Sequence, residues 1–271
     1  YNPYNTYDAS GNIIANAMEE NEYIISGRCS ISFLKISKTF ISNKKNISQV
    51  YAWADATYQC IVNRDDITRF NFGGESGVSL KEVISKLEKR IYRINKNATL
   101  LLDSTKIEPG EYECITAPEV TGLIAHEAFG HGVEMDMFVK DRAKSVEYMN
   151  KEVAKEIVSM KDGANSAFSV ASFFFDDEGC LAGDTQIIDK GILVGGICDS
   201  VSASILNYKP TGNGRRESFK HKAYTRMTNT FFCSGESKLE DIIKSVDYGY
   251  YISTTNNGME DPKNWGIQCI A

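Results

Sequence analysis

Two of the three histidines in this chain lie five positions apart, at His126 and His131, and Glu127 directly follows the first. Neutral imidazoles are good zinc ligands, and a glutamate held beside a metal can take a proton from its bound water. On a regular α-helix, at about 100° per residue, the two rings would point roughly 140° apart. If both rings bind one ion, the helical turn between the two histidines must be wider than a regular α-helical turn. We therefore predict a single π-type turn, which the neighbouring Gly130 makes less costly.

The segment from His126 to His131, called the motif below, also has a plain alternative interpretation. Two surface or core histidines and a solvated glutamate would share one helix without any metal. A random arrangement of the histidines would produce this spacing, with a glutamate after the first, well under about one time in a hundred. The pattern therefore favours a site for zinc or for another divalent metal that imidazole accepts.

Composition excludes several classes of protein. No apolar run approaches the roughly 20 residues of a membrane-spanning helix, so we expect a soluble protein with no membrane partner. The net charge of −6 comes without a stripe of lysine and arginine, so a nucleic-acid partner is not expected. Seven dispersed cysteines without a C-x-x-C pair, and the lack of a secretory signal, predict reduced thiols in the cytoplasm.

A proline–glycine pair at 109–110 interrupts the pattern of regular elements, as such pairs commonly do. We therefore predict two domains, a partial amino-terminal domain at 1–108 and a truncated carboxyl-terminal domain at 109–271. The predicted fold class is α+β. An antiparallel sheet with a packed helix forms the first domain, and a β-rich second domain contains the helix with the motif.

In the first domain, residues 23–64 are rich in β-branched and aromatic side chains with partial alternation, which predicts antiparallel strands around a polar turn at 43–46. From Leu80 onward, apolar side chains recur at helical spacing and predict a surface helix packed on that sheet. The apolar stripe consists of Val83, Leu87, Ile91 and Ile94.

In the second domain, a short strand is predicted at 111–116 and a helix from Pro118, a residue well suited to a first helical turn. Helical spacing predicts a further helix at 146–157. Strands are predicted around 173–175, 185–188, 192–197 and 265–271. The last of these would leave an open apolar edge, which suggests that the natural chain continues.

The segment HEAFGHGVEMD at 126–136 resembles the H-E-x-x-x-H signature of the TldD/PmbA family of metallopeptidases, also described as modulators of DNA gyrase. The resemblance is specific from about residue 111 to the end and weaker before it. It continues through FFFDDEG (173–179), PTGNGRRES (210–218), RMTNT (226–230) and GMEDPKNWGIQ (258–268).

This resemblance implies a metal-dependent peptidase of small or unfolded peptides, such as microcin precursors and toxin–antitoxin components. It also implies a homodimer, or a heterodimer with a paralogous subunit that lacks the motif. His126 and His131 match the metal-binding histidines, and Glu127 matches the catalytic glutamate. The family's third ligand resembles a cysteine in a Gly-x-Cys-Gly-Lys setting. None of the seven cysteines here has that setting, so the third ligand is expected beyond Ala271.

Five other residues are weaker candidates. Glu134 and Asp136 would accept hydrogen bonds that orient the imidazoles, or would be solvated carboxylates at a helix end. Arg215 and Arg216 would clamp a carboxylate of the substrate peptide, or would face solvent. His221 lies between two lysines and is expected at the surface.

The predicted function is hydrolysis of peptide bonds, with Glu127 activating a water on the metal and an extended peptide held at a strand edge. One alternative is a non-catalytic partner subunit of a TldD/PmbA-type dimer that binds peptide without cutting it. The intact Glu127 argues against that alternative. Another is a metal amidohydrolase for small non-peptide substrates, which the sequence leaves open.

Overall fold

The computed structural model describes residues 11, 15, 17–19, 21–255 and 257–270. The chain divides into two compact units. One comprises residues 1–37 and 50–109, and the other comprises residues 38–49 and 110–271. Residues 38–49 thus belong with the second unit, whereas the sequence pattern assigned them to the amino-terminal domain. Throughout the part of the chain that is described, every helix is too short or too polar to cross a bilayer.

The first unit is built on a three-stranded sheet in the order β1 (Ile24–Ile41), β2 (Asn46–Arg64), β3 (Ile67–Gly77). β2 and β3 pair antiparallel, with Ala54 opposite Gly77 at one end of the ladder. A tight turn joins β1 to β2, in which Ser42 N donates to Lys45 O. The predicted strands and the polar turn between them are confirmed.

Helix α1 (Leu80–Leu100) packs against this sheet. It begins after Ser79, whose side chain accepts a hydrogen bond from the backbone of Glu82, a standard helix cap. The predicted apolar stripe is buried in the core of the first unit, and each such side chain contributes about 1.5–3 kcal/mol relative to exposure. The predicted surface helix is therefore confirmed, and its buried stripe consists of Val83, Leu87, Ile91 and Ile94.

The second unit consists of small sheets joined by short helices. A four-stranded antiparallel sheet has the order β10 (Thr230–Phe232), β5 (Met160–Asp162), β6 (Thr185–Asp189), β7 (Ile192–Leu193). β4 (Glu113–Thr116) pairs parallel with β11 (Gly249–Ile252). Two antiparallel pairs are β8 (Gly214–Arg215) with β9 (Tyr224–Thr225), and β12 (Asn257–Asp261) with β13 (Gly266–Ile270). The helices are α2 (Pro118–Ile124), α3 (Met135–Val139), α4 (Ser200–Leu206) and α5 (Leu239–Lys244). A mixed fold of antiparallel sheets and helices is thus observed.

A buried carboxylate, Asp162, ties the second unit together. It accepts hydrogen bonds from Asn213 Nδ2 at 2.7 Å, from Thr228 N at 2.9 Å and from the hydroxyl of Thr230. A buried carboxylate needs such donors, since desolvation would otherwise make it costly. These bonds fix the segment that contains Met227, which packs under the motif.

The predicted helix at 146–157 is wrong. A 3₁₀ turn at Lys144–Tyr148 is followed by Asn150 in a left-handed conformation, with φ of 62°, which ends any helix there. The chain then runs beside β7. Asn150 N donates to Leu193 O, and Leu193 N donates to Lys151 O. These long-range bonds replace the helical ones that the apolar spacing suggested.

The predicted strand at 173–175 is also wrong, although two of its phenylalanines are buried. Only Phe175 forms an isolated bridge, to Leu181. The buried side chain of Gln49 takes the place of a neighbouring strand. Its Oε1 accepts from Phe174 N at 2.8 Å, and its Nε2 donates to Phe175 O at 2.6 Å. Gln49 therefore also explains why residues 38–49 group with the second unit.

Helix α1 allows a matched test of the first core. Leu87→Ala should lower the free energy of unfolding by about 2–5 kcal/mol, because it leaves a cavity where a 2% exposed side chain packed. Glu88→Ala, one position along on the exposed face, should change it by less than about 0.5 kcal/mol. Urea unfolding measures both. Equal effects of the two substitutions would contradict the packing of α1.

Candidate metal centre

The motif lies where helix α2 changes its winding. α2 leads directly into a π-helical turn at Ala125–Gly130, and the backbone N–H of His131 donates to His126 O, a bond between residues i and i+5. The predicted widened turn is confirmed. It brings the two imidazoles to the same side, with ring centroids 4.7 Å apart and planes at 83°.

His126, Glu127 and His131 form a group that could hold a metal ion. One ligand atom from each lies within 4.8 Å of the others, and this is the one such group among the described residues. Two imidazoles and a carboxylate are ligand types that zinc accepts. The donors present therefore fit a divalent metal. The roles of His126 and His131 as its ligands and of Glu127 as the general base remain predictions.

Contacts from distant segments support the widened turn. At Gly130 a Cβ would overlap Sδ of the buried Met227, so a side chain does not fit there. The indole Nε1 of Trp265 donates to the carbonyl oxygen of Ala128. These contacts stabilise a backbone geometry that a regular helix would otherwise replace.

Strand β12 lies against the glutamate of the motif. A Cβ at Gly258 would stand 2.7 Å from Cγ of Glu127, so only glycine allows β12 to approach this closely. The stem of Glu127 is thereby packed between its own turn and β12. A side chain confined in this way keeps its carboxylate close to the two imidazoles.

Glu134 is positioned by the turn after the motif. It forms a parallel bridge with Ile197, where Met135 N donates to Ile197 O at 2.9 Å. Its side chain is buried, and its Oε2 lies 3.7 Å from Nδ1 of His131. Asp136 is also buried but pairs with Lys140 at 2.7 Å. Neither carboxylate is solvated, and an orienting role for Glu134 stays a prediction.

The environments of the two imidazoles differ. Burial lowers the pKa of His126, and the neighbouring His131 lowers it further. The carboxylate of Glu134 raises the pKa of His131, which burial opposes. In the metal-free protein, His131 is therefore the more readily protonated of the pair.

Glu260 is a residue of this site that sequence reasoning did not single out. Both of its carboxylate oxygens are buried, and among hydrogen-bond donors the backbone N–H of Gly132 opposes the effect of that burial on its pKa. Burial raises its pKa to about 8, with Glu127 and Glu134 adding to the shift and His131 opposing it. The GMEDPKNWGIQ segment contains Glu260, but only the pairing of β12 with β13 brings it to the motif.

The remaining candidates lie in other surroundings. Arg215 Nη1 donates to Met227 O at 3.2 Å, and Arg216 Nη2 donates to Asp177 O at 3.1 Å, so both guanidiniums bind backbone carbonyls. A role of Arg215 and Arg216 in substrate binding stays a prediction. His221 is exposed, as expected, and its Nδ1 lies 2.9 Å from the hydroxyl of Ser218.

Comparison with known proteins identifies the family of this chain. A model of the PmbA/TldA metallopeptidase C-terminal domain matches residues 109–271. The chain therefore belongs to the PmbA/TldD family of metallopeptidases. The resemblance stated from the motif is confirmed.

Relatives of this chain are named as metalloproteases. A "Metalloprotease TldD homolog" of Buchnera aphidicola is 37% identical over 195 residues, which is 72% of this chain and 40% of that protein. A "Zinc metalloprotease TldD homolog" of Saccharolobus solfataricus is 31% identical over 186 residues, which is 66% of this chain and 40% of that protein. The chain thus spans about 40% of the length of these relatives.

Solved structures share the fold. A Thermotoga maritima protein described as a modulator of a DNA gyrase superposes with a TM-score of 0.78 at 20% identity, over 91% of this chain and 56% of that one. TldE from Thermococcus kodakarensis superposes with a TM-score of 0.73 at 18% identity, over 95% of this chain and 58% of that one.

Two glycines provide a matched test of the widened turn. Gly130→Ala should destabilise the protein by about 1–3 kcal/mol and weaken zinc binding, because the new methyl overlaps Met227. Gly122→Ala in α2, where nothing lies within 4 Å of the added Cβ, should be neutral or stabilising by up to about 1 kcal/mol. Chemical unfolding and zinc titration measure the pair. Intact zinc affinity in Gly130→Ala would count against the supporting role of Met227.

The two histidines should titrate in a fixed order. In the metal-free protein, His131 should keep its proton to a higher pH than His126, as followed by NMR of the imidazole nitrogens. Zinc requires neutral imidazoles, so its affinity should fall as the pH drops through the pKa of His131. Glu134→Gln should lower that pKa, whereas Asp136→Asn should leave it in place because Asp136 pairs with Lys140. The reverse order of titration would refute this assignment.

Proposed function

We propose that the protein containing this chain hydrolyses peptide bonds with a divalent metal held by His126 and His131, and with Glu127 as general base. The observation that supports this most directly is the π turn, which brings these three side chains within 4.8 Å of one another. A regular helix would separate them. Names of relatives as metalloproteases agree with the same reaction class.

Each residue has a distinct part in the proposed reaction. A bound divalent metal supplies Lewis acidity toward the scissile carbonyl and toward the attacking water. Glu127 accepts a proton from that water, and its stem is held by Gly258 so that the carboxylate stays in reach. Glu134 faces Nδ1 of His131 and orients this imidazole, leaving Nε2 for the metal.

A catalytic zinc in proteins usually has three protein ligands and an open position. Among the described residues, the group at the motif offers two imidazoles and the glutamate that we assign as base. We therefore keep the expectation of a third ligand, a cysteine, beyond Ala271. The proposed metal is zinc, which this donor set suits, or another divalent ion that imidazole accepts.

The proposed substrate is an extended peptide. β12 and β13 form a two-stranded sheet of their own, so each has an edge that no other described strand pairs, and β12 lies against Glu127. Edges of this kind hold peptides through backbone bonds. We propose a second copy or a paralogous subunit as partner, and a solved structure with this fold is named TldE.

A charge-neutral substitution tests the general base. In the protein expressed from its full gene, Glu127→Gln should retain bound zinc but cleave peptides at least about a hundredfold more slowly, the scale of general-base catalysis. His126→Ala should lose the metal as well. Metal analysis and the hydrolysis rate of a fluorogenic peptide measure the two effects separately.

Glu119→Gln is a suitable control, since this exposed carboxylate lies at the start of the same helix. It should leave both zinc content and rate unchanged. Turnover in Glu127→Gln equal to that of the unmodified protein would sink the assigned role and would favour the non-catalytic partner subunit.

A further inference from the structure

Three cations surround one aromatic ring near the motif. Nζ of Lys222 lies 4.6 Å from the ring centroid of Tyr224, Cζ of Arg226 lies 5.6 Å from it, and Nζ of Lys140 lies 5.7 Å from it. All three residues are exposed. We call Lys140, Lys222 and Arg226 the cationic group. Lys140 directly follows α3, Lys222 lies in the loop before β9 and Arg226 directly follows β9, so only the tertiary fold brings them together.

One carboxylate, that of Glu134, contacts both the cationic group and His131, a proposed metal ligand. Oε2 of Glu134 lies 3.5 Å from Nη1 of Arg226 and 3.7 Å from Nδ1 of His131. The same carboxylate oxygen therefore makes both contacts. Arg226 and His131 are therefore separated by no more than roughly two residues of extended chain, at about 3.4 Å per residue.

The charges within the group are only partly balanced. Lys140 pairs with Asp136 at 2.7 Å, and Arg226 shares Glu134 with His131. In the described part of the chain, Lys222 forms no ion pair with a carboxylate. The ring of Tyr224 attracts the three cations, but cations gathered around one ring also repel one another. A chain with net charge −6 thus gathers three positive side chains at one place, an arrangement that an anion would stabilise.

The chemistry of the surroundings limits the anion. Buried carboxylates, Glu134 and Asp136, lie directly beside the cationic group and would repel a highly charged polyanion. A single carboxylate matches better, because a guanidinium presents a planar fork of donors to it and an ammonium adds a point charge. Half of the Arg226 side chain is exposed, at 50%, and because Nη1 donates to Thr225 O at 2.6 Å, the rest of the guanidinium would meet this carboxylate.

We propose that the cationic group binds a carboxylate of the peptide substrate, one or two residues from the bond that is cut. This inference rests on the proposed peptidase function. The carboxylate is either the free carboxyl terminus of the peptide or an acidic side chain, and both have the same recognition chemistry. The cationic group thereby sets which peptides are preferred, whereas the motif performs the hydrolysis.

Binding and cleavage are measured separately with four fluorescein-labelled pentapeptides of alanine and glycine. One has a free carboxyl terminus and one is its amide. The other two are amides with an internal glutamate or an internal glutamine. Binding is followed by fluorescence anisotropy on the full protein with chelator present, so no cleavage occurs. We expect the free acid or the glutamate amide to bind about tenfold more tightly than its neutral counterpart, less so at high salt.

Substitutions connect this preference to the cationic group. Lys222→Gln, which breaks no ion pair among the described residues, should reduce the preference severalfold, and Arg226→Gln should abolish it. Arg226→Lys should restore part of it, because charge is kept while the fork is lost. Lys220→Gln in the same loop, whose ammonium lies over Phe219 instead, should leave the preference unchanged.

The outcomes distinguish the two sources of the carboxylate, and they separate this inference from the proposed peptidase function. Preference for the free acid identifies the peptide terminus as the ligand, and preference for the glutamate amide identifies an acidic side chain. Equal binding of all four peptides, or a preference that survives both Lys222→Gln and Arg226→Gln, would overturn the inference. Absence of cleavage in zinc-loaded protein that still shows the binding preference would refute the peptidase function alone.

Discussion

The hydrogen bond from the backbone N–H of His131 to the carbonyl of His126 determines the geometry of the whole site. It spans five residues instead of four, and this one extra residue turns both imidazoles to the same side of the helix. Glu127 then falls close to both rings. Without this bond the same six residues would form a regular helix, with one histidine directed away from the other, and no group able to share a metal would exist.

A π turn is an unfavourable winding, so the rest of the second unit has to stabilise it. Met227 leaves no room for a side chain at Gly130, Trp265 donates to the carbonyl of Ala128, and Gly258 lets β12 pack on Glu127. These contacts come from segments about a hundred or more residues away from the motif in sequence. The buried hydrogen bonds of Asp162 hold one of those segments in place.

Charge around the site is arranged in two zones. The carboxylates of Glu134 and Glu260 lie beside His131, which raises the pKa of this histidine, and burial raises the pKa of Glu260 to about 8. Arg226 contacts the same oxygen of Glu134 as His131 does, and it belongs to a positive zone. A divalent metal suits the first zone, because its positive charge compensates carboxylate oxygens that are buried beside His131. A carboxylate suits the second.

Features that depend on residue spacing along one element can be predicted from the amino-acid sequence. The stripe from Val83 to Ile94 predicts α1, and the five-residue spacing of His126 and His131 requires the widened turn once both are taken as ligands. Such features follow from local geometry, which is the same in every protein.

Which distant segments meet at the motif depends instead on how the whole second unit packs. Glu260 reaches it through the β12–β13 pair, and Arg226 reaches it through Glu134. Contacts between distant segments also explain why two predictions were wrong. The chain after Asn150 hydrogen-bonds to β7 instead of forming a helix, and the side chain of Gln49 hydrogen-bonds to Phe175 where a neighbouring strand was expected. The periodicity of apolar residues indicates which side of a segment is buried. It does not indicate which other segment packs against that side, because hydrogen bonds between distant segments form only when the whole core packs.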